Sequence, residues 1–510
     1  MYPQTRLFRF FEGGTKALLC LGIVLGISPL QGIAHAAIPV SACRVHSLTS
    51  SPWTTYMGSN NRDGHNADPY RVNKFCIATH YALNSAIYSQ VVTDTSSISY
   101  IGDNSGYLHA VNLATRKERW KTFLGQTTTL GCGRQTVGIS STPTIINGII
   151  YVGGGDQYWY AVRKSDGHIL WSFTPGTTTH PNSVTSSHVP QVVRAIVTTS
   201  NGDNGGYYNW ASPLIVGNAK SGYYAYIGTA SYGDCPLVAG RLILMRLSDH
   251  KVMKVFSVVP TGQIGGGIWT SPSDDAIDPS TPLSKLHTIF VTTGTATEPP
   301  SKQPYSESIV ALDANTLKVK SHFRIPPNSN DWDWGSSPIF YGDRFGHKHV
   351  AAVNKNGLLY VFDPRNVSKP QFVIRIGIGG PNPLTGGATI SGCTSLKGQL
   401  YCSGSIIKIG KATYKGSISR IDTLPGRNPV VYMKGFNDGF VIGSLSSTNT
   451  EIIVPAGASI LLLNPVTGNV DRRYVGSSPI WTAPSNSNGT IVVGTISGEI
   501  IILGQLSGSV

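Results

Sequence analysis

The chain has 510 residues and a formal net charge of +14 at pH 7, but only 13% of its residues are charged, about half the usual share. Hydrophobic residues make up 40%, enough for a large core, and 58 glycines indicate many tight turns. The basic residues form no patch with interleaved aromatics, which argues against nucleic-acid binding. Long amphipathic helices are also disfavoured, so we expect many short strands.

The first 36 residues predict a secretory signal peptide. Three basic residues, Arg6, Arg9 and Lys16, precede an apolar run over 17–30, and the small-residue sequence "AHAA" suggests cleavage after Ala36. The apolar run is short for a membrane span, although a retained anchor is the alternative. We therefore expect the mature chain, 37–510, to be periplasmic or secreted, with no membrane span after cleavage.

Cysteine usage agrees with export. Six cysteines follow the signal segment, an even number that favours disulfides in an oxidising compartment: Cys43, Cys76, Cys132, Cys235, Cys393 and Cys402. Cys393 and Cys402 flank "TSLKGQLY", which predicts a disulfide across a hairpin. The other pairings stay open. No C-x-x-C-H motif is present, so the sequence predicts no covalently attached c-type haem.

One pattern recurs along the chain: a strand, a Gly-containing turn, a second strand, an Asp-like turn and an aromatic strand. It reads "YIGDNSGYLHAVNLATRKERW" at 100–120 and "YVGGGDQYWYAVRKSDGHILW" at 151–171. Looser copies follow at 226–256, 290–323, 352–366, 401–433, 453–474 and 492–505. A regular recurrence of this kind predicts a repeat architecture.

A second signature precedes the repeats and resembles the start of an innermost strand at a proline. It reads "SSTPTI", "WASPLI", "WTSPSD", "GSSPIF" and "WTAPSN", with "SAIYSQVV" in the first unit. Eight units of about four short strands predict an all-β, eight-bladed β-propeller over 37–510. The last unit lacks an outer strand, and we expect a segment near 53–58 to supply it and close the ring.

The repeat "G-x-L-Y-A-x-D-x-x-T-G-x-x-x-W" resembles that of pyrroloquinoline quinone (PQQ) proteins, over about residues 53–505. Eight such units are similar to the quinoprotein alcohol dehydrogenase fold. The motif "W-x-x-Y-x-G-x-x-x-R-x-G" at 53–64 resembles the polyvinyl-alcohol-dehydrogenase-like branch. The resemblance implies oxidation of an alcohol or polyol with PQQ. It also implies transfer of electrons to a separate acceptor, such as a cytochrome c or a quinone.

The resemblance also implies site residues. The family's general base is the Asp of a "W-D-[YW]" motif, which corresponds to Asp333 in "DWDW", and Asp331 beside it is a candidate cofactor-binding residue. The lysine or arginine that contacts the quinone corresponds to Lys355 in "NKNG", and the aromatic floor to Trp269. The alternatives are structural: an Asp satisfied by backbone amides, a solvated turn lysine and a packing tryptophan.

The calcium set that the resemblance implies is incomplete. The family's calcium Glu has no counterpart, and Asp234 is the nearest acid; Thr295 stands where an Asn is expected, leaving Asp333 as the third ligand. Hard cations need anionic and carbonyl oxygens, so these departures weaken Ca²⁺ binding. The competing hypothesis is a propeller that lost the cofactor and binds a protein or polysaccharide. Fold alone does not decide between the two.

Overall fold

The computed structural model describes residues 43–45, 51–67, 75–129, 135–175, 183–194, 207–234, 237–276, 278, 280–327 and 331–506. The predicted signal peptide, Cys132 and Cys235 lie outside these residues. The described chain is all-β, as predicted, and its strands form eight antiparallel sheets with four principal strands each, plus one small three-stranded sheet. We number the eight sheets as blades 1–8.

The first four blades follow one another along the chain. Blade 1 contains Val92–Thr93, Ile98–Gly102, Tyr107–Asn112 and Lys117–Phe123. Blade 2 contains Thr144–Ile146, Ile149–Gly153, Trp159–Arg163 and Ile169–Thr174, with Ser183–Thr185 added outside. Blade 3 contains Leu214–Asn218, Gly222–Ser231, Arg241–Arg246 and Lys251–Ser257, with Tyr207–Tyr208 added. Blade 4 contains Ser273–Asp274, Thr288–Thr292, Ser308–Asp313 and Val319–Arg324.

The remaining blades repeat this arrangement. Blade 5 contains Ile339–Gly342, Lys348–Asn354, Leu358–Phe362 and Phe372–Arg375. Blade 6 contains Thr394–Leu396, Gln399–Cys402, Ala412–Ile421 and Val430–Phe436, with Ser405–Ile409 added. Blade 7 contains Ser446–Ser447, Ile452–Ala456, Ser459–Leu463 and Val470–Val475. Blade 8 contains Ser485–Ser487, Thr490–Gly494, Glu499–Leu506 and Phe75–Ala82, with Cys43–Arg44 added.

The other elements are short. The three-stranded sheet joins Gln126–Thr129, Gln135–Val137 and Val192–Arg194. Among the described residues, three 3₁₀ turns cover Tyr56–Gly58, Leu283–Lys285 and Pro383–Thr385. Within the described residues, no helix has the length and apolar character needed to cross a membrane.

The middle strands of each blade are apolar on both faces because each blade packs between two others. In blade 1, neighbouring side chains point to opposite faces of the sheet. Tyr100 accordingly packs in the cluster shared with blade 2, whereas Ile101 packs in the cluster shared with blade 8. Such a strand reads as a continuous apolar run rather than as an alternation.

Eight apolar clusters close the ring. Each consecutive pair of blades shares one cluster, and the eighth cluster joins Ile500 and Val492 of blade 8 to Ile101 and Val111 of blade 1. No single blade can bury both of its apolar faces alone, so the closed ring is the unit that completes the core.

The strand that completes blade 8 is Phe75–Ala82, so its predicted position near 53–58 is wrong. Phe75–Ala82 pairs antiparallel with Glu499–Leu506 from Ala82 opposite Glu499 to Phe75 opposite Gln505. The predicted segment cannot extend as a strand, because Met57 and Gly58 have φ values of 56° and 77°. The N-terminal part of the chain does close the ring, but with later residues.

Residues 51–67 instead form a segment across the base of the ring, which we call the plug. Its backbone or side chains hydrogen-bond to the innermost part of all eight blades. In ring order, the partners are Trp53 with Thr93, Thr54 with Ile145, Asn60 with Ile215, Asn60 with Asp274, Asn61 with Phe340, Asp63 with Ser395, Gly64 with Ser447 and Asn66 with Asn486. The plug thus provides hydrogen-bond partners for the inner edge of every blade.

Arg62 anchors the plug from within. Its side chain is 1% exposed, and its guanidinium donates to the carbonyl oxygens of Pro272 at 2.8 Å, Tyr56 at 2.9 Å and Pro213 at 3.3 Å. Burial lowers the pKa of Arg62 to about 10, and the nearby Asp274 carboxylate opposes that shift. A planar fork with five donors on three nitrogens suits this cluster of carbonyls better than a lysine, whose three donors share one nitrogen.

Two disulfides lie among the described residues. Cys393 and Cys402 are joined, as predicted from their hairpin, and Cys43 is joined to Cys76. The second bridge ties Cys43–Arg44 to the closing strand Phe75–Ala82. Disulfides of this kind fit a protein that folds in an oxidising compartment.

Candidate active site

The proline signatures of the repeat build the wall of a central cavity of about 360 Å³. One residue from the same signature position in every blade faces this cavity. In order from blade 1, this wall ring consists of Tyr88, Ser140, Trp210, Trp269, Gly335, Ile390, Ile442 and Trp481. The repeats therefore place eight equivalent positions around one axis, and substitution at these positions gives the cavity its chemistry.

Two residues further along each signature lies a second ring, which holds neighbouring blades together. The backbone N–H of Gln90 donates to the Thr142 hydroxyl at 2.9 Å, and that of Thr142 to the Ser212 hydroxyl at 3.0 Å. In the same way, the backbone N–H of Ser212 donates to the Ser271 hydroxyl at 2.9 Å, and that of Ser271 donates to the Ser337 hydroxyl at 2.8 Å. We call these residues the clasp ring.

The plug provides a further boundary of the cavity. Tyr56 lines the cavity, and its hydroxyl lies 3.0 Å from the hydroxyl of Ser444. The backbone N–H of Met57 donates to Gln90 at 2.8 Å. Because these contacts join the plug to residues at clasp-ring positions, the N-terminal segment both ties the blades and limits the depth of the cavity.

A tight turn in blade 5 brings Asp333 and Lys355 together. The side chain of Asn354 donates to the carbonyl oxygens of Trp332 at 2.8 Å and Asp333 at 3.1 Å. The backbone N–H of Lys355 donates to the Asp333 carbonyl at 3.2 Å. Gly357 closes the turn with φ of 80°, a conformation that glycine adopts without a steric cost. The "NKNG" turn therefore fixes the preceding "DWDW" segment beside the lysine.

Asp333 is a buried carboxylate with two specific partners. It is 5% exposed, and the indole N–H of Trp269 donates to its Oδ2 at 3.0 Å. Its Oδ1 forms an ion pair with the Lys355 ammonium. Burial raises the pKa of Asp333 above the ordinary carboxyl range; Lys355 opposes the shift, and Asp331 adds to it. A carboxylate held in this way is a suitable general base because its basicity is high and its orientation fixed.

Lys355 lies between two carboxylates. Its Nζ is 3.0 Å from Asp331 Oδ2, in addition to its ion pair with Asp333. Burial alone would lower the pKa of Lys355, but the two carboxylates raise it above its ordinary value, so the side chain is cationic. The ammonium also lies 5.7 Å from the centre of the Trp269 ring, within the range of a cation–π contact.

Asp234 and Thr295 extend this cluster. The Thr295 hydroxyl lies 3.4 Å from both carboxylate oxygens of Asp234 and 3.2 Å from Asp331 Oδ1. Desolvation raises the pKa of Asp234 to about 6, and Asp331 adds to the rise. All six residues singled out by the sequence, Asp234, Trp269, Thr295, Asp331, Asp333 and Lys355, thus line one cavity.

Calcium does not fit this arrangement of donors. Both Asp333 oxygens contact Trp269 or Lys355, and the Asp331 oxygens contact Lys355 and Thr295. Among the described residues, no cluster of three His, Cys, Asp or Glu side chains is arranged to hold a metal ion. A cation would first have to displace the lysine ammonium.

A flat quinone fits the cavity better than the metal does. The half-buried Trp269 side chain borders the open space. Gly294 keeps the backbone clear beside it: a Cβ there would stand 3.3 Å from Asp333 Oδ2 and 3.4 Å from Trp269 Cδ1. Among the described residues that line the cavity, three are acidic, Asp234, Asp331 and Asp333, and one is cationic, Lys355. An anionic quinone is therefore accommodated best when one of these carboxyls is protonated.

Several cavity residues are not among those that the family motifs identified. Trp210 stacks on Tyr232 with ring centres 5.2 Å apart, and Tyr88 stacks on Trp481 at 5.9 Å. Trp210, Trp481 and Tyr88 all occupy the first position of the proline signature. Trp269 occupies the same position in blade 4, and this equivalence could have identified the three residues from the sequence. A position that faces the axis in one blade of a repeat structure does so in all of them.

The fold is similar to that of solved quinoprotein dehydrogenases. A quinohemoprotein alcohol dehydrogenase from Comamonas testosteroni superimposes with a TM-score of 0.65 at 15% identity, covering 90% of this chain and 81% of that one. A europium-containing methanol dehydrogenase gives a TM-score of 0.63 at 12% identity, covering 90% and 99%. BamB from Moraxella catarrhalis gives 0.50 at 11% identity, covering 84% and 97%.

No family model matches the sequence, and no curated protein matches it. The similarity to the dehydrogenases is therefore one of fold, at low sequence identity, and extends over 90% of the chain. On this structural evidence, the chain has an all-β propeller fold similar to that of the quinoprotein alcohol dehydrogenases.

Proposed function

We propose that this protein is an exported, PQQ-dependent oxidoreductase that oxidises an alcohol or polyol. The observation that carries the proposal is the convergence of a buried carboxylate, an ammonium and an indole on one cavity: Asp333, Lys355 and Trp269. This combination offers a base, a cationic contact and a flat surface within one site.

Each residue has a separate task in the proposed reaction. Asp333 accepts the proton of the substrate hydroxyl, and the indole N–H of Trp269 fixes the orientation of that carboxylate. Lys355 would hold a bound PQQ through its positive charge, and Asp331 keeps the ammonium in place. PQQ, when bound, supplies the acceptor for the hydrogen and two electrons that leave the alcohol carbon. The alcohol would leave as a carbonyl compound, and its two electrons would pass on to a separate cytochrome or quinone.

The test is a titration of the mature protein with PQQ, followed by cofactor absorbance and dye-coupled oxidation of alcohols, with and without Ca²⁺. We expect saturable binding and turnover. Asp333→Asn should retain binding but lose about 10²- to 10⁴-fold in kcat, the usual contribution of a positioned base. Lys355→Met should weaken binding, whereas Lys348→Met, an exposed lysine on the same blade, should not.

Two results would contradict the proposal. One is the absence of PQQ binding at high micromolar concentration in folded protein. The other is an Asp333→Asn variant that turns over at the wild-type rate. The first result would favour the alternative of an exported propeller that binds a protein or polysaccharide, to be pursued by pull-down of its partner.

A further inference from the structure

An aromatic pair lies across the cavity from Asp333. Blades 1 and 5 are four places apart in the closed ring, and so are blades 4 and 8, so the members of each pair face each other across the axis. Asp333 immediately precedes blade 5, and Tyr88 precedes blade 1; Trp269 precedes blade 4, and Trp481 precedes blade 8. Tyr88 and Trp481 stack on each other at 5.9 Å with planes 27° apart.

The neighbouring wall is aliphatic rather than polar. Ile390 and Ile442 occupy the wall-ring positions of blades 6 and 7, and Leu384 of the 3₁₀ turn Pro383–Thr385 lines the cavity beside them. Tyr88 and Trp481 are only half-buried and line the open space. This side of the cavity thus presents an apolar surface to a molecule bound next to Asp333.

Several of the hydroxyls that line the cavity also hold neighbouring blades together. Those of Thr142, Ser212, Ser271 and Ser337 each accept a backbone N–H from the preceding blade. The Tyr56 hydroxyl is paired with Ser444. A sugar or polyol would bring several hydroxyls against a wall ring in which six of the eight positions are aromatic or aliphatic, and buried hydroxyls without partners are costly.

We propose that the substrate of this site is an aryl alcohol, and that Tyr88 and Trp481 bind its ring while its hydroxyl reaches Asp333. The inference rests on the proposed function and narrows its substrate class from alcohols and polyols to alcohols with an aromatic body. Aromatic rings bind well against the faces or edges of other aromatic rings, and the adjoining aliphatic side chains exclude water from the ring.

The first arm of the test measures turnover of the PQQ-loaded protein. We expect kcat/KM for benzyl alcohol to exceed that for sorbitol by at least about 10-fold, the scale of discrimination by a well-fitted apolar contact. In Trp481→Ala, the loss for benzyl alcohol should exceed the loss for ethanol by about 10-fold or more. A preference for sorbitol, or equal losses for both alcohols in the variant, would overturn the inference.

The second arm needs no cofactor. The ¹⁹F resonance of 4-fluorobenzyl alcohol should broaden in the presence of the cofactor-free protein, and benzyl alcohol, but not sorbitol, should reverse the broadening. The double variant Tyr88→Ala/Trp481→Ala should abolish the effect. Trp171→Ala is the matched control, because Trp171 lies on the outer strand of blade 2 and contacts His250.

The two arms separate the possible failures. Broadening that is lost in the double variant, without turnover of any alcohol, would support the aryl site and contradict the proposed function. Turnover of alcohols without broadening and without a preference for benzyl alcohol would support the proposed function and overturn the aryl site. Circular dichroism of each variant shows whether a loss reflects the site or the fold.

Discussion

Asp333 is buried and contacts one indole N–H and one ammonium. These surroundings set the pKa of its carboxyl group and therefore the pH dependence that we expect for the proposed oxidation. Burial raises its pKa, and Lys355 opposes but does not cancel the rise. Only the ionised carboxylate can accept the substrate proton, so kcat/KM should increase with pH. The midpoint of that increase should lie above the ordinary aspartate value of about 4.

The measurement is the pH profile of kcat/KM for the PQQ-loaded wild type and for Asp331→Asn. Removing the Asp331 charge removes one of the causes that raise the pKa of Asp333, so the midpoint should move to lower pH. A profile that is flat from pH 4 to pH 9 would contradict the role of Asp333 as the base.

At the scale of the elements, the clasp ring explains why four of the five proline signatures carry Ser or Thr directly before the proline. The Ser271 hydroxyl accepts the buried N–H of Ser212 at 2.9 Å and so ties blade 3 to blade 4. Ser271→Ala leaves that N–H without its acceptor, and we expect a loss of about 1–3 kcal/mol in unfolding free energy. Denaturant unfolding of this variant beside Ser301→Ala, at an exposed position, provides the comparison. Equal stability of the two variants would show that the clasp contributes nothing.

The innermost strand of blade 4 carries a second group with a defined pH dependence. Asp274 is 1% exposed, and burial raises its pKa to about 7, with Arg62 and the Ala276 N–H opposing the shift. The folded state thus holds a proton between about pH 4 and 7 that the unfolded state, with a pKa near 3.9, has released. Stability from this group is therefore highest near pH 4 and falls as the pH rises through 7.

Asp274→Asn should nearly match the wild type in stability at pH 4 and exceed it at pH 8, by a few kcal/mol. Denaturation midpoints at the two pH values test this. Asp166→Asn, which removes an exposed carboxylate whose pKa is lowered by Arg163, should show no gain at pH 8. If the Asp274 variant is less stable than the wild type at pH 8, the pairing with Arg62 outweighs the burial.

The repeats could be predicted from the sequence because each blade carries its own turn residues and apolar strands. The closing strand could not be predicted, because the missing fourth strand of the last repeat does not identify which N-terminal segment replaces it. The positive φ values of Met57 and Gly58 are not evident from the sequence of 53–58. The sequence "FCIATHYA" at 75–82 lacks every turn-forming residue and was the better strand candidate.

The site was predictable in part for the same reason. Asp333 and Lys355 lie in local motifs, and one side chain, Asn354, brings the two motifs together. Tyr88 and Trp481 come from opposite ends of the chain and meet because blade 8 returns to blade 1. Such a contact depends on ring closure, which motifs do not encode.

At the scale of the whole molecule, ring closure depends on the N-terminal part of the chain. The plug contacts all eight blades, and the strand Phe75–Ala82 completes blade 8. The Cys43–Cys76 disulfide spans 33 residues that include the plug, whereas Cys393–Cys402 spans 9 within one hairpin. In the chain-entropy model, the longer loop stabilises the fold more, by about 3–4 kcal/mol against about 2–3 kcal/mol.

The double variants Cys43→Ala/Cys76→Ala and Cys393→Ala/Cys402→Ala test this difference. The first should lose more unfolding free energy and should show faster hydrogen exchange in Glu499–Leu506 and Thr490–Gly494, because blade 8 is the only described blade whose outer strand comes from the other end of the chain. The second should show faster exchange only around blade 6. If the first variant exchanged faster in all blades equally, the ring would open as a single unit, and closure at blade 8 would not be its weakest joint.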